Sequence, residues 1–189
     1  MWNMPNALTL LRICLVPVLI AALLDESSSG YRVAVAVFVL AAITDTLDGY
    51  YARSRNKVTR LGQVMDPAAD KLVIVGALAA LLVVDRVAAW IVVVVVAREL
   101  AVSGLRLVAA RNGAIIPASR LGKLKMDAQV VAVFVAIVAD DPTAWWVSGA
   151  FMVAVVATVV SGADYFRNFR KRCTPVSEAR TRYGVALEG

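Results

Sequence analysis

The sequence predicts an all-α integral membrane protein, a six-transmembrane-helix bundle. Three observations carry that expectation: an apolar content of 60%, a mean hydropathy of +0.74, and six separated apolar runs. Soluble domains hold roughly 45–50% apolar residues, so this chain belongs in a bilayer. A hydrocarbon core about 30 Å thick takes roughly 20 apolar residues per helix. The 189 residues therefore suffice for six crossings and leave no soluble domain.

The first run, 7–24, is preceded by Asn3-Met4-Pro5-Asn6, where Pro5 suits a helix start. A signal peptide fits poorly, because Arg12 lies inside the run and no small-residue cleavage site precedes the polar segment 25–30. Arg12 is expected to snorkel toward the interface. The second run, 33–52, ends in Thr44-Asp45-Thr46-Leu47-Asp48-Gly49-Tyr50-Tyr51-Ala52-Arg53. The third, 67–84, follows Gly62-Gln63-Val64-Met65-Asp66, and the fourth spans 87–109. The fifth, 128–139, is short for a crossing, and the sixth covers 143–166. A transmembrane domain of residues 1–172 is thus followed by a polar cytoplasmic tail, 173–189, expected to fray.

Orientation follows from the basic residues beside short loops. Arg53, Arg55, Lys57 and Arg60 follow the second run, Arg106, Arg111, Arg120, Lys123 and Lys125 flank the connection after the fourth, and Arg167, Arg170, Lys171 and Arg172 follow the sixth. The opposite side carries only Arg32 and Arg86 beside five acids. Both termini are therefore expected in the cytoplasm, with the protein a multi-pass component of the cell (inner) membrane. The formal charge of +6 is accounted for by this asymmetry and by attraction to anionic lipid heads, so nucleic acid is not an expected partner. Trp2, Trp90, Trp145 and Trp146 sit near run ends, as interface anchors do. Cys14 and Cys173 suggest no disulfide framework.

Asp45 and Asp48 are three residues apart, and Asp66 and Asp70 four apart, so each pair shares one helix face. Four carboxylates thus converge on one helical hairpin. A charged group inside the membrane costs about 2.5–3.5 kcal/mol on insertion scales, and four of one sign would repel each other besides. A cation between them resolves both costs. The chain has no histidine, and hard oxygen ligands favour Mg²⁺ or Mn²⁺. Four carboxylates suit two such ions, an arrangement fitted to phosphoryl displacement. The competing reading pairs these acids with Arg53, Lys71 or other bases, which leaves the small residues between them unexplained. Gly49 and Ala52 leave the inner face of the second helix open, and Gly62 is expected to let a loop backbone approach a ligand closely. A divalent-cation transporter is a further reading, though its acids should lie near mid-membrane instead of at the cytoplasmic ends of two helices.

The pattern Asp45-x₂-Asp48-Gly49-x₂-Ala52-Arg53-x₈-Gly62-x₃-Asp66-x₃-Asp70 resembles the signature of the CDP-alcohol phosphatidyltransferases, with no position missing. The six-helix layout is similar to that family over nearly the whole chain. The resemblance implies transfer of a phosphatidyl group from CDP-diacylglycerol to an alcohol, with CMP leaving. It implies metal ligation by Asp45, Asp48 and Asp66, and a double role for Asp70, which would complete the metal site and accept the proton of the attacking hydroxyl. It also implies a CDP-diacylglycerol site lined by Gly49, Ala52, Arg53 and Gly62, since an Arg fork holds diphosphate oxygens well. Thr59 either contacts the nucleotide or is a plain loop residue. Asn6 and Thr9 either reach the liponucleotide or cap the first helix. Similar enzymes are homodimers.

Pro5-Asn6-x-Leu8-Thr9-x-x-Arg12, the segment 98–106 and the segment 118–125 resemble the branch of the family that takes glycerol 3-phosphate. Met126-Asp127 departs from that branch, where threonines are more usual, and keeps the phosphatidylinositol phosphate and cardiolipin branches open. Arg106, Arg120, Lys123 and Lys125 are the expected acceptor-phosphate residues, because a dianion needs cations that a neutral alcohol does not. Their competing role is as topology signals. Glu99 either joins the acceptor pocket or neutralises a buried charge, the second being favoured.

Overall fold

Helices α1 (Met4–Leu24), α2 (Ser28–Arg55), α3 (Arg60–Val83), α4 (Ala89–Arg111), α5 (Arg120–Val138) and α6 (Trp145–Arg182) make up the described chain, with no strand among the described residues. The structure, a computed structural model, describes the backbone of residues 4–55, 60–111 and 120–182, and the side chains of 8–45, 69, 71–109 and 121–170. Each apolar run of the sequence falls within one helix or overlaps it closely. The helices outlast the runs at the end where α2, α4 and α6 finish. α2 continues to Arg55, and α3 starts at Arg60, seven residues before its run. Hydropathy marks the depth of hydrocarbon, whereas a helix satisfies its own backbone and continues beyond it. Gly62, expected in a loop, is therefore in the first turn of α3. Likewise α6 runs through Cys173 to Arg182, so the first ten residues of the expected frayed tail are helical.

α1 lies against α2 and α3, α5 and α4 lie against α6, and α3 sits between α1, α4 and α5. The main core draws Leu19 and Leu23 from α1, Phe38 from α2, Leu78 and Leu81 from α3, Val95 from α4, Val133 and Ile137 from α5, and Phe151 from α6. Ala41, Ala77, Ala132, Ala136 and Ala154 are buried between them. Small residues let helix backbones approach where lipid offers no hydrophobic drive to associate. Gly76 shows how tightly: an added Cβ would stand 3.0 Å from the Val16 side chain of α1. The outer faces are apolar too, with Val83, Val93, Leu100, Leu107, Val153 and Val156 all exposed. Ser28–Asp45 and Trp145–Arg170 are by themselves long and apolar enough to cross a membrane, and Leu8–Leu24 and Lys71–Val83 are shorter apolar stretches.

The turns at the far end from the acids are short and well bonded. Ser27 caps α2, its hydroxyl accepting from Gly30 N at 2.9 Å. α3 ends with Arg86 N donating to Leu81 O at 2.8 Å and Asp85 N to Leu82 O at 3.3 Å, with Asp85 left-handed at φ 55°. This is the paired-bond helix stop that glycine usually supplies, and aspartate tolerates the conformation. Between α5 and α6, Asp141 accepts from Thr143 Oγ1 at 2.6 Å and Thr143 N at 2.8 Å. Those two bonds hold the Asp141 carboxyl below its usual range, so the turn is firmest at neutral pH and loosens as acid protonates the group.

Arg86 ties this end together. Its Nη1 donates to Ala136 O at 3.0 Å in the last turn of α5 and to Ala139 O at 2.7 Å just after it, and its Nε donates to Tyr31 Oη at 3.0 Å. Its guanidinium carbon also lies 4.0 Å from the centre of the Tyr31 ring. Hydrogen bonds to charged groups contribute about 1.5–3 kcal/mol each, in addition to the cation–π contact. Arg86→Ala is therefore expected to destabilise the bundle by about 2–3 kcal/mol, read as a lower thermal midpoint in detergent with the activity of the folded fraction unchanged.

Candidate active site

The acid motif occupies the last turns of α2 and the first turns of α3. Asp45, Asp48, Gly49, Ala52 and Arg53 lie on α2, and Gly62, Asp66 and Asp70 on α3. Among the four acids the structure describes the side chain of Asp45; those of Asp48, Asp66 and Asp70, like those of Asn6, Arg53 and Arg120, lie outside the described residues, and so does Thr59 altogether. The backbone places Asp66 and Asp70 two turns and one turn before Ile74 on α3, at positions that share its face.

Asp45 is held from α1. Arg12 Nη1 stands 3.4 Å from Asp45 Oδ1, with the arginine side chain 2% exposed and the aspartate 41%. The expectation that Arg12 snorkels is thus corrected: the side chain turns inward, because an acid is within ion-pair range there and a buried guanidinium without one would be very costly. Thr9, one turn earlier, is fully buried on the same face. Thr44, beside Asp45, spends its hydroxyl on Ala41 O at 2.8 Å. Arg12 and Asp45 line a cavity of about 290 Å³ between α1, α2, α3 and α5, to which Asp127 also contributes.

A second cavity, of about 240 Å³, lies between α3, α4, α5 and α6. Among the described residues, Lys71, Arg98, Arg106, Lys123 and Lys125 line it against one acid, Glu99. Three of the cations meet on that carboxylate. Lys125 Nζ bonds Glu99 Oε1, Arg98 Nη1 lies 3.3 Å from the same oxygen, and Lys71 Nζ lies 3.8 Å from Oε2. Lys71 also bonds the hydroxyl of Ser103, which itself donates to Glu99 O at 2.6 Å. Arg98 is fixed from the other side, its Nη2 donating to Ser161 Oγ on α6 at 2.6 Å. An added Cβ at Gly162 would stand 3.3 Å from Arg98 Cγ, so glycine lets this arginine lie along α6. Below the charges, Gln129 Nε2 donates to Thr158 Oγ1 at 3.0 Å.

Of the residues expected to hold an acceptor phosphate, Arg106, Lys123 and Lys125 thus share one cavity. Lys71 and Arg98 join them, which sequence reasoning did not anticipate. Glu99 lines the cavity and neutralises at once. The signal that could have found Lys71 is its place immediately after Asp70, outside the motif yet on the same helix turn. Ile74 and Met126 line both cavities, so these two side chains form a common wall between the acid side and the cationic side.

Residues 2–161 match the CDP-alcohol phosphatidyltransferase family. This chain belongs to that family. It is 42% identical over 182 residues to the CDP-diacylglycerol–glycerol-3-phosphate 3-phosphatidyltransferase of Bacillus subtilis (strain 168), covering 88% of this chain and 94% of that one. The protein of the same name from Rickettsia felis is 37% identical over 89% of this chain and 96% of its own length. A probable phosphatidylglycerophosphate synthase of Mycobacterium tuberculosis (strain ATCC 25618 / H37Rv) is 39% identical over 86% of this chain and 79% of its own. The family match takes in all four acids and the five cations of the second cavity.

Proposed function

We propose that the protein transfers the phosphatidyl group of CDP-diacylglycerol to glycerol 3-phosphate, giving phosphatidylglycerophosphate and CMP, as the names of its relatives suggest. The observation that carries this reading is the pair of adjoining cavities, one beside the acid motif through Arg12 and Asp45, the other walled, among the described residues, by five cations against one carboxylate. An excess of positive charge around a partly enclosed cavity is stabilised by a dianionic ligand, and glycerol 3-phosphate is one.

The donor chemistry fits a hard divalent cation: the motif offers only carboxylate oxygens, and the partly exposed Asp45 opens onto a cavity. Asp45, Asp48, Asp66 and Asp70 would hold Mg²⁺ or Mn²⁺, two ions by the number of carboxylates, which when bound supply charge neutralisation at the diphosphate and polarisation of the attacking hydroxyl. Arg53 holds diphosphate oxygens, while Gly49, Ala52 and Gly62 leave room for the nucleotide; Asn6, Thr9 and Thr59 complete the donor site. Arg106, Arg120, Lys123 and Lys125 hold the acceptor phosphate. Asp70 takes the proton from the acceptor hydroxyl as its oxygen attacks the β-phosphorus. The bond from that phosphorus to the CMP oxygen breaks, and CMP leaves with the electron pair. Proximity across the common wall supplies much of the rate.

All six helices cross the membrane in this reading, both termini and the site facing the cytoplasm, and two chains assemble as a homodimer. The apolar outer faces and the clustering of cations at one end of the bundle support the crossing and its direction. The test is to give the purified protein CDP-diacylglycerol with glycerol 3-phosphate, inositol 1-phosphate or phosphatidylglycerol in parallel, and to measure CMP and lipid product in detergent. Turnover is expected with glycerol 3-phosphate alone, to vanish in EDTA, and to return with Mg²⁺ or Mn²⁺. Comparable turnover with inositol 1-phosphate, or full turnover in EDTA, defeats the reading. CMP release without a membrane gradient also separates the enzyme from a cation transporter.

A further inference from the structure

Tyr165, on α6, lies beyond the span matched to the family and carries none of the roles given above. It is 4% exposed and lines the cationic cavity. Its ring is seated in a small apolar cluster with Val102 and Ala109 of α4, and the Arg106 guanidinium stands 5.7 Å from the ring centre. Its hydroxyl is buried and has no hydrogen-bond partner among the described residues. A buried hydroxyl left unpaired costs on the order of 1–3 kcal/mol, so its retention beside a cavity calls for a partner that arrives from outside.

The surroundings say what that partner is. Ser161, one turn earlier on the same face of α6, accepts from Arg98 Nη2. The Nε of Arg98 is a second buried donor without a partner among the described residues. Around these stand the five cations, which donate and never accept. A cavity with surplus positive charge and unspent donors suits a ligand rich in acceptor oxygens. We propose that the Tyr165 hydroxyl donates to a phosphate oxygen of the acceptor, making Tyr165 a binding residue that adds recognition without adding charge. This rests on the reading of the cavity as the glycerol 3-phosphate site.

Tyr165→Phe removes the hydroxyl and keeps the ring. The expected result is a rise of about tenfold in the KM for glycerol 3-phosphate, as loss of one bond to a charged group implies. kcat should stay within about twofold and the KM for CDP-diacylglycerol should not move, since the bond is made equally in ground and transition states. Inorganic phosphate, as an inhibitor competing with glycerol 3-phosphate, should lose affinity by a similar factor. The thermal midpoint of the substrate-free variant should equal or exceed that of wild type, because no internal bond is lost. An unchanged acceptor KM, an equal rise in both KM values, an unchanged inhibition by phosphate, or a lowered midpoint each overturns the assignment. Wild-type protein that does not consume glycerol 3-phosphate overturns the functional reading and this assignment together. A wild type that does, beside an unaffected variant, overturns only the tyrosine.

Discussion

Asp70→Asn is expected to lower turnover by roughly 10²–10⁴-fold, the usual contribution of a positioned acid–base group. The amide keeps an oxygen that can face a cation but cannot take the proton of the attacking hydroxyl. CDP-diacylglycerol should therefore still bind, which separates this variant from one that has lost the donor site. The place of Asp70 on α3 gives the expectation its geometry: it is one turn before Ile74, which lines both cavities, and immediately before Lys71, which reaches into the cationic one. In the proposed reaction a base at that position would serve both cavities. Rates from correctly folded protein in detergent, with direct titration of CDP-diacylglycerol, are the measurement. Activity within about tenfold of wild type would remove Asp70 from the role of base.

Glu99→Gln is expected to act on stability before it acts on chemistry. The carboxylate is 8% exposed and holds Lys71, Arg98 and Lys125, of which Lys125 is itself buried. Removing one partner of a buried ion pair costs about 3–5 kcal/mol, because Lys125 and Arg98, left behind, stay largely out of water and now repel. The variant should unfold at a markedly lower temperature than wild type at the same heating rate. Inorganic phosphate should recover part of the loss, since an anion that binds only the folded state stabilises it by mass action. A midpoint within error of wild type, with or without phosphate, would mean that the three cations are balanced by something other than Glu99.

The six helices were legible in the sequence because each needs an apolar run, and such runs are visible one residue at a time. Their ends were less so. The polar turns that carry α2 to Arg55 and start α3 at Arg60 satisfy their backbone within the helix, and hydropathy does not register that. The acid motif stands out in the sequence by its spacing of three and four residues, and of its carboxylates the structure describes that of Asp45. Arg12 was misread because a cation in an apolar run has two ways to escape hydrocarbon, outward to the interface or inward to an acid, and only the packing of α1 on α2 decides between them. Lys71 and Arg98 escaped for a related reason: their meeting on Glu99, with Lys125, depends on α3, α4 and α5 being neighbours at one depth.

The wall between the two cavities is thin in a particular sense. Ile74 and Met126 are both apolar, and methionine, unbranched with a polarizable thioether, adapts its shape through three rotatable bonds. Met126 is thus the side chain of that wall that can change shape without displacing a helix. Around it Gly76 lies close against Val16 and Arg86 bonds the carbonyls where α5 ends, and a rotamer changes faster than helices packed in this way can shift.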